Sequence, residues 1–221
     1  MATVPAFELY AFWRTSATFR VRVALNLKNL PATEIFINVD AGEQRSEAYL
    51  KINPLGGLPT LVEAGNPPIT QSLAILEFLE ETQPLPALLP ADRHGRARVR
   101  SLCNMLAADT HPLITPRVKK YLTTEAGFDD VAWRHWQTQW FTTGLAAVEQ
   151  RLSTEEQTGL YCHGDTVGMA DICLASVVAV MRVFKIEVPD IPTVEGIVAR
   201  CSVLDAFVRA EPARQVGAPV Q

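Results

Sequence analysis

Thr15, Ser16 and Thr18 are the residues best placed for chemistry in this chain. They stand where an apolar run containing Phe7, Leu9, Phe12 and Trp13 gives way to a helical spacing of apolar residues at Phe19, Val21, Val23, Ala24 and Leu27. A strand that feeds a helix start sets hydroxyls at the positive end of a helix dipole. First-turn N–H groups there favour an anion, and a neighbouring hydroxyl can donate to it. The plainer alternative is that the three hydroxyls only cap the helix. Gln71-Ser72 repeats the pattern ahead of apolar residues at 73, 75, 76, 78 and 79, giving a second start that could hold a carboxylate or be merely capped. A third start, Gly164-Asp-Thr-Val-Gly168-Met-Ala-Asp171, puts Gly168 at the N-cap and Asp171 at the third helical position. A carboxylate there bonds back to the N-cap N–H, so capping accounts for it fully.

The elements that must position these groups alternate over the first 83 residues. A strand near 7–13, a helix at 16–28, a strand Thr33–Val39, a helix at about 43–51, a strand Thr60–Val62, a turn at Glu63–Pro68 with a second short strand, and a helix from Gln71 give the order β-α-β-α-β-β-α. Thr33–Val39 is apolar enough for a central strand, and the helix before it requires parallel pairing with the first strand. Pro59 follows Leu58 directly before Thr60, and a proline there belongs at a strand start or in a tight turn, cis included. Three prolines in Pro84–Pro90 break the periodicity as a linker packing through its leucines. The pattern beyond is helical throughout, at Arg93–Leu122, Asp129–Leu152, Met169–Val183, Thr193–Cys201 and Val203–Arg209, and the 171–181 run is apolar nearly all round, as in a buried central helix. The expected division is a domain at 1–83, a linker at 84–91 and an all-helical domain at 92–221.

With 48% hydrophobic residues in 221, the chain can fill two modest cores. A net charge of −4 speaks against nucleic acid as the partner and in favour of a small molecule. No stretch reaches the roughly 18 apolar residues of a membrane span and the first residues lack a leader pattern, so a cytoplasmic location is expected. Cysteines at 103, 162, 173 and 201 and histidines at 94, 111, 135 and 163 offer no metal-ligand spacing, so reduced, structural cysteines and no metal are expected.

The order of elements, together with Trp13–Leu25, Asn53-Pro54, Leu58-Pro59-Thr60-Leu61, Gln71-Ser72-Leu-Ala-Ile75, Glu80-Glu81, Leu88-Leu89-Pro90, Tyr161, Gly164-Asp165 and Met169-Ala170-Asp171, resembles the glutathione transferases. Within them the chain is similar to the zeta class, which includes maleylacetoacetate and maleylpyruvate isomerases. The resemblance implies an α/β plus all-α architecture: a thioredoxin-like β-α-β-α-β-β-α domain that binds glutathione, followed by a helical-bundle domain. It implies glutathione as cofactor, a homodimer, and cis-trans isomerisation of a maleyl-type diacid by addition of the glutathione thiolate, rotation and expulsion. Thr15 and Ser16 would meet the thiol, the backbone at Leu58-Pro59 the cysteinyl unit, Gln71-Ser72 the γ-glutamyl carboxylate and Gln44 the glycyl end. Arg14 would take a substrate carboxylate, with His111, Arg117 and Arg182 as further candidates, while Arg20 and Arg22 are left as surface or linker contacts.

Two departures bear on that implication. The class signature Ser-Ser-Cys reads Thr15-Ser16-Ala17 here; maleylpyruvate-type members also lack the cysteine, which tilts the resemblance towards them. Where the class has an arginine directly before Phe, this chain has Val183-Phe184 with Arg182 one residue earlier, a rotation of about 100° around a helix. Two other functions stay open at this point: a broader glutathione transferase or peroxidase on small electrophiles, and a non-catalytic glutathione-binding scaffold.

Overall fold

The computed structural model describes residues 7–219, which cluster into two compact units. The first runs up to Leu88 and takes in the chain again from Val203; the second is Leu89–Ser202.

In the first unit β1 (Phe7–Ala11) alternates, with Phe7, Leu9 and Ala11 buried on one face. It pairs parallel with β2 (Ala32–Phe36) through the crossover helix α1 (Ser16–Leu27), and antiparallel with β3 (Thr60–Glu63), which turns back antiparallel into β4 (Ile69–Thr70). The order is β2-β1-β3-β4. Helix α2 (Glu47–Ile52), preceded by a 3-10 turn at Glu43–Arg45, is capped by Ser46, whose hydroxyl accepts the Tyr49 N–H at 3.2 Å. Helix α3 (Ser72–Thr82) packs on α1.

The expected central strand is therefore an edge strand of this sheet, and it ends at Phe36. Thr33, Glu34 and Phe36 are exposed and Ile35 is half-buried. The physical reason is visible at Glu34, whose carboxylate takes both Nε (2.7 Å) and Nη2 (2.8 Å) of Arg22 from α1. A polar clasp on the one covered face serves an edge strand, not a strand buried on both faces. Arg22 is correspondingly 5% exposed, which corrects its expected place on the surface.

The linker prolines are anchored through a buried lysine. Lys28 Nζ donates to Glu80 Oε2 (2.7 Å), Gln83 O (2.6 Å) and Pro86 O (3.0 Å), and Glu80 Oε2 also takes the Leu88 N–H at 2.9 Å. Leu88 and Leu89 are buried while Leu85 is exposed. The C-terminal segment departs from the expected division. Its helical part shrinks to α9 (Asp205–Val208), and the chain there caps α1: Phe207 meets Phe19 edge-on at 6.3 Å, and Asn26 Nδ2 donates to Ala206 O at 2.9 Å. An aromatic pair and a satisfied carbonyl outweigh the continuity of helical pattern that suggested a last helix of the second domain.

The second unit is helical: α4 (Arg93–Asn104), α5 (Pro116–Glu125), α6 (Asp130–Thr154), α7 (Met169–Val183) and α8 (Pro192–Ser202). The expected single helix Arg93–Leu122 is broken by a π-helical turn at Met105–Thr110 and a 3-10 turn at His111–Ile114. Pro112 and Pro116 lack the N–H groups that a continuous ladder needs. The widened turn is fixed by Thr110, whose Oγ1 donates to Met105 O at 2.8 Å, and Gly144 of α6 lets it approach: a Cβ there would lie 2.1 Å from that oxygen. Every residue of α7 from Met169 to Val178 is buried, as the sequence pattern requires of a central helix. Arg98 and Arg151 clamp Glu155 at 2.5 and 2.6 Å, and the Arg151 hydrogen bond, with help from Arg98, holds that carboxyl below its ordinary range. The four cysteines are buried, and among the described residues no helix is long and apolar enough to cross a membrane.

Candidate functional site

Each of the three helix starts that the sequence singles out has become a different object. At α7, Asp171 closes its own N-terminus: its carboxylate accepts the Gly168 N–H and the Cys162 N–H, both at 2.8 Å. Burial pushes the Asp171 carboxyl up, and those two amide hydrogen bonds pull it back. Its role is structural, as its spacing implies.

At α1 the N-cap is Thr15, in extended backbone (φ −78°, ψ 125°), yet its side chain makes no capping bond. The hydroxyl lies instead against Thr18 Oγ1 and 3.3 Å from Phe12 O, half-buried. Ser16, its neighbour, is fully buried and turned inward, where its Oγ accepts from Arg20 Nη2 at 3.1 Å. The structure thus separates two hydroxyls that the sequence leaves equivalent: Thr15 is half-buried at the helix start, and Ser16 faces the interior.

Helix α3 opens in the same uncapped way. Gln71, its N-cap, is exposed, makes no capping bond and sits at φ +70°, ψ 114°. A non-glycine residue there costs on the order of 1–3 kcal/mol and persists where its surroundings impose it. Ser72, first residue of the helix, is 7% exposed, and its Oγ accepts from Arg20 Nη1 at 3.0 Å. Arg20, 1% exposed, therefore spans Ser16 and Ser72, 56 positions apart in the chain (72 − 16). Its expected surface role is wrong, because the two serine oxygens give the guanidinium interior acceptors.

Leu58 is half-buried, one residue ahead of the buried Pro59 in a cis peptide bond and outside the β3 ladder that begins at Thr60. The loop before it is propped from below. Asn53 Nδ2 donates to Gly57 O (2.8 Å) and Thr60 Oγ1 (3.2 Å), while the Tyr49 hydroxyl reaches Gly57 O at 2.6 Å; burial raises that phenol's pKa and keeps it a donor. Gly56, at φ +63°, packs so closely that a Cβ would fall 2.6 Å from Gln44 O. Gln44, in the 3-10 turn, is half-buried, and its Oε1 is a buried oxygen with no hydrogen-bond partner among the described residues.

Arg14 leans over the rings of Phe12 and Trp13, 5.4 Å from each centroid, and pairs with Asp40. On the helical unit His111 is half-buried at the start of the 3-10 turn, Arg117 is exposed in the first turn of α5, and Arg182 is exposed in the last turn of α7. The structure brings Ser16 and Ser72 together through Arg20 and sets Gln44 against the Gly56 loop.

A family model for the glutathione S-transferase N-terminal domain matches residues 5–81. The maleylpyruvate isomerase of Ralstonia sp is 38% identical over 208 residues, covering 94% of this chain and 98% of that protein. The chain belongs to the zeta class of glutathione transferases. Among solved structures it is similar to the maleylacetoacetate isomerase of Methylobacterium extorquens AM1 with bound malonate and glutathione, at 45% identity and a TM-score of 0.94 over 96% of this chain and all of that one. A maleyl pyruvate isomerase described as a bacterial zeta-class glutathione S-transferase follows at 37% identity and a TM-score of 0.92, again over 96% and 100%. Within this zeta-class fold, sequence reasoning missed Arg20, Tyr49 and Asn53. Asn53 stands inside a quoted motif and Arg20 is one helical turn after Ser16, so spacing could have found both. Tyr49 carries no such signal.

Proposed function

We propose that the protein is a glutathione-dependent cis-trans isomerase of a maleyl-type diacid. The observation that carries this reading is the pair of uncapped helix starts, Thr15 and Gln71, with the partnerless Oε1 of Gln44 beside the Leu58 loop. Glutathione is anionic at both ends and carries a thiol between them, and these groups fit it. Gln71 and Ser72 take the γ-glutamyl carboxylate, the Leu58 backbone pairs with the cysteinyl unit ahead of Pro59, Gln44 accepts an N–H toward the glycyl end, and the Thr15 hydroxyl meets the sulfur. Bound glutathione supplies the nucleophile, whose reversible addition to the double bond leaves a single bond free to turn before the sulfur departs.

The chain's part is to hold that sulfur ionised and the diacid oriented. A thiol titrating near 8.5 needs about 2 kcal/mol to be half ionised at pH 7. A hydroxyl donating to a charged sulfur contributes roughly 1.5–3 kcal/mol, and the α1 dipole roughly another 0.3–1 kcal/mol. Thr15 alone is therefore sufficient, and Ser16, held by Arg20, supports the loop. Arg14 receives a substrate carboxylate by exchanging Asp40 for it, a like-for-like replacement at a guanidinium already stacked on two rings. Arg117, Arg182 and His111 are further candidates for a substrate carboxylate.

The Arg14–Asp40 pair also favours a second reading, a broader transferase or peroxidase on neutral electrophiles, in which Asp40 never leaves. Isomerisation of maleylpyruvate and maleylacetoacetate with and without glutathione decides between them. Turnover that needs glutathione is expected, and turnover of neutral electrophiles alone would overturn the isomerase. A homodimer and a cytoplasmic location belong to the same reading, checked by light scattering and by fractionation.

A further inference from the structure

Two arginines, two residues apart on α1, are buried to nearly the same degree. Arg22 meets a carboxylate, Glu34, in a two-pronged ion pair and makes a longer bond to Phe12 O at 3.5 Å. Two nitrogens of the Arg20 fork reach serine hydroxyls: Nη2 to Ser16 at the start of α1, Nη1 to Ser72 at the start of α3. A guanidinium stays charged at any working pH, and its planar fork fixes the separation of the two oxygens it holds. The two oxygens it holds stand at the starts of two helices, where the positive dipole ends favour an anion. A serine oxygen that accepts from a cation is also a better donor through its own O–H, because hydrogen bonds in a chain polarise one another.

We propose that Arg20 is a positioning residue that couples the thiol end of the bound tripeptide to its γ-glutamyl end, favouring the thiolate at Thr15 and aiming Ser72 at the carboxylate. This rests on the glutathione-dependent reading above and adds to it a residue that never touches the ligand. Arg20 acts through Ser16 on the Thr15 loop and through Ser72 on the α3 start. One substitution should therefore disturb both ends, which a residue serving only the core would not do.

The test titrates the ultraviolet thiolate absorbance of glutathione bound to the wild-type protein, Arg20→Gln, Arg20→Lys and Arg22→Lys, alongside thermal melts and the KM for glutathione. In Arg20→Gln the midpoint of thiol ionisation should rise by about one pH unit as a nearby opposite charge is lost, and KM should rise about tenfold. Arg20→Lys keeps the charge on a stem without the fork, so its midpoint should move less while KM still rises several-fold. Arg22→Lys should lower the melting temperature, leave KM at its wild-type value and move the midpoint far less than Arg20→Gln does, through its single long bond to Phe12 O. A folded Arg20→Gln with wild-type midpoint and KM would overturn the assignment, as would equal shifts in Arg22→Lys. If Arg20→Gln does not fold, wild-type values in Arg20→Lys overturn it and a raised KM supports it. Wild-type protein that does not bind glutathione fails the functional reading and the inference together; binding with an unaffected Arg20→Gln fails only the inference.

Discussion

The starts of α1 and α7 carry comparable signals in sequence, a cap-competent residue followed by an apolar helix, and have opposite fates. At α7 the first turn is sealed from within by Asp171, which takes two amide hydrogens and is 2% exposed. At α1 the N-cap threonine leaves the first turn without a side-chain bond, as Gln71 does at α3. A helix start that supplies its own anion is structure; one that withholds it leaves donors for a ligand. A hydroxyl at a helix start is therefore informative only when its capping bond is missing.

The comparison breaks first at Asp171. Asp171→Ala leaves two interior amides unpaired and should cost about 2–4 kcal/mol, lowering the melting temperature by roughly 4–16 °C at about 2–4 °C per kcal/mol for a chain of this size. Glutathione affinity of the folded protein should not change, and a wild-type melt would show that the seal is unimportant. Thr15→Ala should do the reverse: kcat falls about 10- to 100-fold from loss of a hydrogen bond to a charged atom, while the melt falls by only about 1–6 °C, the cost of the bonds to Thr18 and Phe12 O rather than of a cap. Thr15→Ser should restore most of the activity, whereas Ser16→Ala should act chiefly on stability, and large activity losses in Ser16→Ala alone would exchange their roles. Gln71→Gly sharpens the contrast further. Relief of the positive φ should stabilise the fold by about 1 kcal/mol while KM for glutathione rises, so a gain without that penalty would dissociate strain from binding.

The smallest effect lies away from the helix starts. The Arg151 and Arg98 hydrogen bonds keep the folded-state pKa of Glu155 below its unfolded value, so its contribution is complete above the ordinary carboxylate range and is lost as pH falls through the folded pKa. Glu155→Gln should flatten the acid limb of the melting-temperature profile and leave neutral pH activity unchanged.

Much of this molecule could be read from its residues because local chemistry decides it. Period-2 and helical patterns located β1, α1, α3 and α7, and Gly168 with Asp171 marked a helix start to the residue. Pairing decisions that depend on distant partners were less legible. Whether Ile35 and Phe36 lie in a central or an edge strand is settled by Glu34 meeting Arg22. Whether the chain after Val203 joins the helical unit is settled by Phe207 finding Phe19. Thr15 and Ser16 look interchangeable in the sequence, and only Arg20, reaching Ser16 from one turn away and Ser72 from another helix, distinguishes them.

The return of the chain to α1 orders events during synthesis. When a ribosome has made the opening eighty-eight residues, the Asn26 amide still lacks the Ala206 carbonyl and the Phe19 ring its cover, and both wait until the whole helical unit has been translated. Nascent chains stalled before Val203 should accordingly be cut by protease near α1, and those extended past Phe207 should resist. The returning segment thus acts as a completion signal for the unit made before it.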